Sequence, residues 1–179
     1  YARALWTKKI DVPTIKQMRT SKVTVRNHLP HHFVQTRSPL LYYGAGSLSA
    51  LPSVLQNLDV SERLLLLTGN SAFGPHGFGP RIVALLEEHG YAVSCRRVHG
   101  EPSPEEVDEL VDAAREEMGH DPEAVVAIGG GSVMDAGKAA AVAFRQAGPV
   151  REYLEGVGSR KPRGDRIALI AASSTAGTG

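Results

Sequence analysis

Cysteine is almost missing from this sequence: Cys95 stands alone among 179 residues. That excludes an intrachain disulfide and any multi-cysteine zinc or iron–sulfur site. Long apolar runs are missing as well. The four leucines at 64–67 and the other short apolar stretches fall far short of the roughly 20 residues that a spanning helix needs, so no membrane partner is expected. Aromatic residues make up 6% of the chain. Near the start only Trp6 and Phe33 interleave with the basic residues, which gives nucleic acid no stacking platform. HExxH and GxSxG patterns are absent too, and the adjacent His31 and His32 point apart on any regular element.

Acids are scarce in one segment. Residues 1–37 carry Asp11 alone against Arg3, Lys8, Lys9, Lys16, Arg19, Lys22, Arg26 and Arg37. The chain's 20 Lys/Arg and 19 Asp/Glu therefore leave 12 and 18 in 38–179, a body at net −6. A basic arm of this kind suits nucleic acid, an acidic partner surface, a targeting peptide or the protein's own acidic body. The last is the expected use. What remains is ordinary: 42% hydrophobic and 22% charged residues suit a soluble globular protein, and the length suits one domain of roughly 150 residues plus a tail. The expected division is a basic arm at 1–37 and one domain at 38–179.

From Pro39 onward, strand and helix patterns alternate. A short apolar run at 40–43 meets Gly44-Ala-Gly46. A helix follows over about 47–58, with Leu48, Leu51, Leu55 and Leu58 on one face and Ser47 in N-cap position. Strands are expected at 63–68, 91–98, 124–128 and 167–172. Helices are expected at 81–89, 104–118 and 132–146, with a short one at 149–154. Pro104 suits a first helical turn, and the last long helix shows a face of alanines that permits close approach to a sheet. Apolar strands without polar alternation, alternating with helices, imply an α/β fold: a mostly parallel sheet with helices on both faces. Such sheets take ligands beyond the carboxyl ends of their strands.

Three strand-exit loops stand out. In Gly129-Gly130-Gly131-Ser132-Val-Met-Asp135-Ala-Gly137-Lys138, glycines leave no Cβ between backbone amides and a ligand. A helix N-terminus adds roughly half a positive charge, which favours a phosphate or pyrophosphate. The plainer alternative is a tight connection in which Ser132 serves as an N-cap only. The second loop is Thr68-Gly69-Asn70. In dinucleotide folds an acid after such a strand holds the adenosine ribose hydroxyls and repels a 2′-phosphate. Gly69 is either a replacement for that acid or simply a turn glycine. The third loop, Ala172-Ser173-Ser174-Thr175-Ala176-Gly177-Thr178-Gly179, offers hydroxyls and free amides suited to phosphate or carboxamide, though by composition it is equally an ordinary Ser/Thr loop.

Together these segments resemble the iron-containing (group III) alcohol dehydrogenases. Tyr42-Tyr43-Gly44-Ala45-Gly46-Ser47 is similar to that family's opening strand and turn. Gly129 to Lys138 matches its GGGSxxDxAK motif, with Gly137 in place of Ala. Thr175 to Gly179 matches its TAGTG, preceded by Ser173-Ser174 where the family has Pro-Thr. GGGSxxDxxK also fits glycerol dehydrogenases and dehydroquinate synthases; the TAGTG ending favours the alcohol dehydrogenases.

The resemblance implies a Rossmann-like N-terminal domain of the dehydroquinate synthase-like fold, binding NADP or NAD, with a helical C-terminal domain absent from this chain. It implies that Gly130, Gly131 and Ser132 hold the pyrophosphate and that Asp135 lies beside the cofactor. It places Ser174, Thr175 and Thr178 along the cofactor's adenine-to-nicotinamide path and Ser103 in contact with it. It sets Gly69 where many NAD-specific members carry Asp, which leans toward NADP. The family's divalent metal, iron or zinc, is held by one Asp and three His beyond the TAGTG loop.

This chain is therefore expected to be the cofactor-binding half of an enzyme that moves hydride between a nicotinamide and a small alcohol or aldehyde, inactive by itself. A cytoplasmic homo-oligomer, such as a dimer, is the accompanying expectation. The alternatives are a nucleotide-binding module without catalysis, or another enzyme of the superfamily such as a glycerol dehydrogenase.

Overall fold

The computed structural model describes residues 39–175. The basic arm and Thr178 lie outside the described residues. The chain divides into two compact units, Tyr1–Asn57 and Leu58–Gly179.

In the first unit, a 3-10 turn at Ser47–Ala50 runs into helix α1, Leu51–Asn57. Two expectations are corrected here. The apolar run at 40–43, which the resemblance sets in an opening strand, forms no strand; Leu41 and Tyr43 are 84% and 96% exposed, and none of the four described strands pairs with them. Ser47 is not an N-cap either. That position belongs to Gly46 at φ 81°, with no side-chain cap, a left-handed backbone that a glycine adopts without strain.

The second unit is a four-stranded sheet: β1 Arg63–Thr68, β2 Ala92–Arg97, β3 Ala124–Gly129 and β4 Ala168–Ser173. All pairings are parallel, in the order β2-β1-β3-β4. Three helices connect the strands: α2 Gly79–Glu88, α3 Pro104–Met118 and α4 Gly131–Ala143. Central strands of a parallel sheet are covered on both faces, so they need apolar residues at every position. Leu64 to Leu67 and Ala124 to Ala127 are accordingly 0% exposed.

Right-handed crossovers put α2 on one face and α3 with α4 on the other. On the second face Val107, Val111 and Ala114 of α3 join Val133, Ala136 and Ala140 of α4 over Leu65, Leu67, Val125 and Ala127. Alternation turns Leu64, Leu66 and Val126 to the first face, where α2 brings its buried Ile82 and Leu86. Helix α4 lies very close to the sheet: a Cβ on Gly137 would stand 2.6 Å from the Ala127 Cβ.

Several boundaries differ from those expected. Helix α4 begins at Gly131 and ends at Ala143, and Ser132 is not its N-cap; Gly130 takes that position with no side-chain cap. The expected helix at 149–154 is a 3-10 turn, Val150–Tyr153.

Glu123 fastens the starts of β1 and β3. Its Oε2 accepts from the Ser61 amide at 2.6 Å and the Glu62 amide at 3.3 Å. Partial burial pushes this carboxyl up, but those donors and the nearby Arg63 guanidinium outweigh burial and hold it below the usual range. A depressed folded value stabilises above the ordinary glutamate pKa of about 4.3 and is lost as pH falls through the folded value. Glu123→Gln should therefore lower the melting temperature at pH 7 and flatten its decline between pH 5 and 3. Thermal melts across that range check this; parallel curves for both proteins would contradict it.

Candidate functional site

The strand order reverses between β1 and β3: the chain leaves β1 toward one edge and β3 toward the other. An open parallel sheet has its crevice at that reversal, beyond the strand ends. Thr68 pairs with Ile128, and Gly129 with Ser173, so three exit loops emerge side by side. They begin at Gly69, Gly130 and Ser174.

Contacts fix these loops to one another. The Ser174 amide donates to the Gly129 carbonyl at 2.9 Å. The Ser173 hydroxyl donates to the Thr175 carbonyl at 2.7 Å and accepts from the Thr175 amide at 3.3 Å. Thr175 Cγ2 lies 3.7 Å from where a Gly130 Cβ would stand. Val133 spans the crevice floor, its Cγ2 standing 2.5 Å from a Gly129 Cβ position and 3.8 Å from a Gly69 one. Gly129 thus has no room for a side chain. Gly69 has room, and its φ of −82° suits any residue, so packing does not dictate glycine there.

The start of α4 faces this crevice. Its first intrahelical bond is Met134 N–H to the Gly130 carbonyl at 3.1 Å, leaving the amides of 131–133 as the open end of the helix. No side chain caps them and no acid sits in the first turn. A Cβ on Gly131 would meet nothing within 4 Å. The arrangement can accept an anionic group against uncapped amides at the positive end of a 13-residue helix.

Of the residues singled out from the sequence, Gly69, Gly130, Gly131, Ser132, Ser174 and Thr175 are brought together. Asp135 is a turn further along α4, exposed and paired with Lys138 Nζ at 2.8 Å. Ser103 caps α3: its Oγ accepts from the Glu106 amide at 3.2 Å, and the Glu106 carboxylate accepts from the Ser103 amide at 2.7 Å. These hydrogen bonds hold the Glu106 carboxyl below its usual range. Two features went unread in the sequence. Ser103-Pro-Glu-Glu106 carries the capping-box spacing that signals this cap. Val133 gives no signal of its own beyond lying two residues past the glycines.

A family model for iron-containing alcohol dehydrogenase matches residues 38–179. The chain belongs to that family. Alcohol dehydrogenase 4 of Saccharomyces cerevisiae (strain YJM789) is 31% identical over 142 residues, covering 78% of this chain and 35% of that protein. The NADPH-dependent butanol dehydrogenase of Clostridium saccharobutylicum is 29% identical over 139 residues, covering 77% and 34%. The fold matches the crystal structure of NADH-dependent butanol dehydrogenase A from Thermotoga maritima with a TM-score of 0.66 and 24% identity, over 77% of this chain and 33% of that one. The chain spans about a third of the length of the curated relatives it matches. Among the described residues no helix is long and apolar enough to cross a membrane.

Removing the Ser103 hydroxyl should cost the domain about 1 kcal/mol. Urea unfolding of Ser103→Ala against Ser103→Thr checks this, with threonine retaining most of the cap; equal stability of Ala and wild type would contradict the capping role.

Proposed function

We propose that residues 38–179 form the cofactor-binding domain of an NAD(P)-dependent alcohol dehydrogenase or aldehyde reductase. The observation that carries this reading is the crevice between β1 and β3, where uncapped amides and bare glycines meet two further exit loops. The amides of Gly130, Gly131 and Ser132 receive the pyrophosphate, whose charge the α4 N-terminus offsets. Ser174 and Thr175 line the path toward the nicotinamide, with Asp135 beside it; Thr178, outside the described residues, is assigned to the same path by the family resemblance alone. Ser103 can donate its hydroxyl proton to the cofactor while its oxygen caps α3. Gly69 leaves the ribose end without a carboxylate, which favours NADP. The bound nicotinamide supplies hydride transfer at C4; this chain's part is to bind and orient it.

Among the described residues no three His, Cys, Asp or Glu are grouped to hold a metal ion. Small alcohols and aldehydes are the proposed substrates, in keeping with the relatives' printed names.

Two substitutions test the reading. With nothing within 4 Å of its Cβ position, Gly131→Val should leave the melting temperature near wild type and abolish binding of NADPH and NADH in calorimetric titration. Undiminished binding would overturn the pyrophosphate role. Gly69→Asp fits sterically and should lower the NADPH-to-NADH affinity ratio by about tenfold or more through charge repulsion. An unchanged ratio would remove Gly69 from cofactor selection.

A further inference from the structure

Arg97 ends β2 directly beside Thr68, the last residue of β1, and the Val98 amide donates to the Thr68 carbonyl at 2.9 Å. Its side chain is therefore one strand away from the Gly69 exit. Alternation along β2 sends Arg96 and Arg97 to opposite faces. Arg96 goes to α3, where it pairs with Glu117 at 2.7 Å and donates to the Ala113 carbonyl at 3.3 Å. The Arg97 guanidinium instead lies over the Phe73 ring, 5.4 Å from its centroid.

Phe73 belongs to the 3-10 turn Asn70–Phe73, which follows Gly69 directly. Its ring packs on the bare backbone of Gly79, where a Cβ would stand 2.8 Å from two ring atoms. The ring is thus a fixed platform, and a guanidinium stacked on it is oriented before any ligand arrives. Among the described residues no carboxylate pairs with Arg97, and the residue is exposed. Its charge is not spent inside the fold.

We propose that Arg97 binds the 2′-phosphate of the adenosine ribose, and so sets preference for NADP over NAD. This rests on the dinucleotide reading of the β1/β3 crevice and adds to it a positive group. Gly69 leans toward NADP only by removing repulsion at the 2′ position; it offers the phosphate no attraction of its own. A stacked arginine with free donors supplies attraction, in the planar geometry that suits a phosphate.

The test is calorimetric titration of wild type, Arg97→Ala and Arg97→Lys with NADPH, NADH, adenosine 2′,5′-bisphosphate and 5′-AMP, alongside thermal melts. Losing one charge-assisted phosphate contact should weaken NADPH and the bisphosphate about 10- to 100-fold in Arg97→Ala. NADH and 5′-AMP should stay within about twofold, a split that a purely structural role for the Arg97–Phe73 stack would not produce. Arg97→Lys, which keeps charge without the planar fork, should fall between. Wild-type affinities with an unchanged NADPH-to-NADH ratio in Arg97→Ala would overturn this role and leave the crevice reading standing. Failure of folded wild type to bind either dinucleotide would overturn both.

Discussion

Helix α4 leaves β3 after one intervening residue, Gly130, and rests on the sheet where side chains that would hold it off are missing. A Cβ at Gly137 would stand 2.6 Å from the Ala127 Cβ, and one at Gly129 would stand 2.5 Å from Val133 Cγ2. This close approach sets the direction of the helix. It points the unpaired amides of 131–133 along the strand ends rather than away from them, and it lowers Val133 between the exits of β1 and β3. The strand order then decides what stands beside those amides: Gly69 on one side and the Ser174–Thr175 turn on the other.

Elsewhere in the second unit, carboxylates mainly fasten elements together. Glu117 accepts from the buried Ser94 hydroxyl and pairs with Arg96, tying β2 to α3, and the Ser94 hydrogen bond leads in holding its carboxyl below the usual range. Glu106 closes the α3 cap, and Glu123 joins the starts of β1 and β3. At the opposite ends of the strands the first turn of α4 carries no acid. Around that helix start the polar groups are backbone amides and hydroxyls, which suits a crevice that receives an anionic ligand.

Much of the fold is legible in the residues. β1 is bounded as expected because four leucines lie between turn signals and fill a two-faced site. α3 is bounded as expected because Pro104 marks its first turn and its apolar residues recur at helical spacing. The run at 40–43 misleads because an apolar run does not by itself make a strand, and none of the described strands takes it in. Serine misleads at Ser47 and Ser132, since a glycine ahead of each takes the cap position and the serine falls inside the helix. The strand order is not in the pattern at all: alternation of strand and helix leaves open which side of β1 receives β2. Hence the glycine loop is visible from sequence, whereas Val133 and the Arg97–Phe73 stack emerge only when neighbouring strands are in register.

The central claim is that the amides at the start of α4 receive the dinucleotide's pyrophosphate. The most direct measurement is an NMR titration of the isotope-labelled chain with NADPH, following the amide signals of Gly130, Gly131 and Ser132. The account predicts saturable shifts at these three residues, with a midpoint equal to that of binding measured in bulk. Saturable binding that leaves all three unmoved would place the cofactor elsewhere and contradict it.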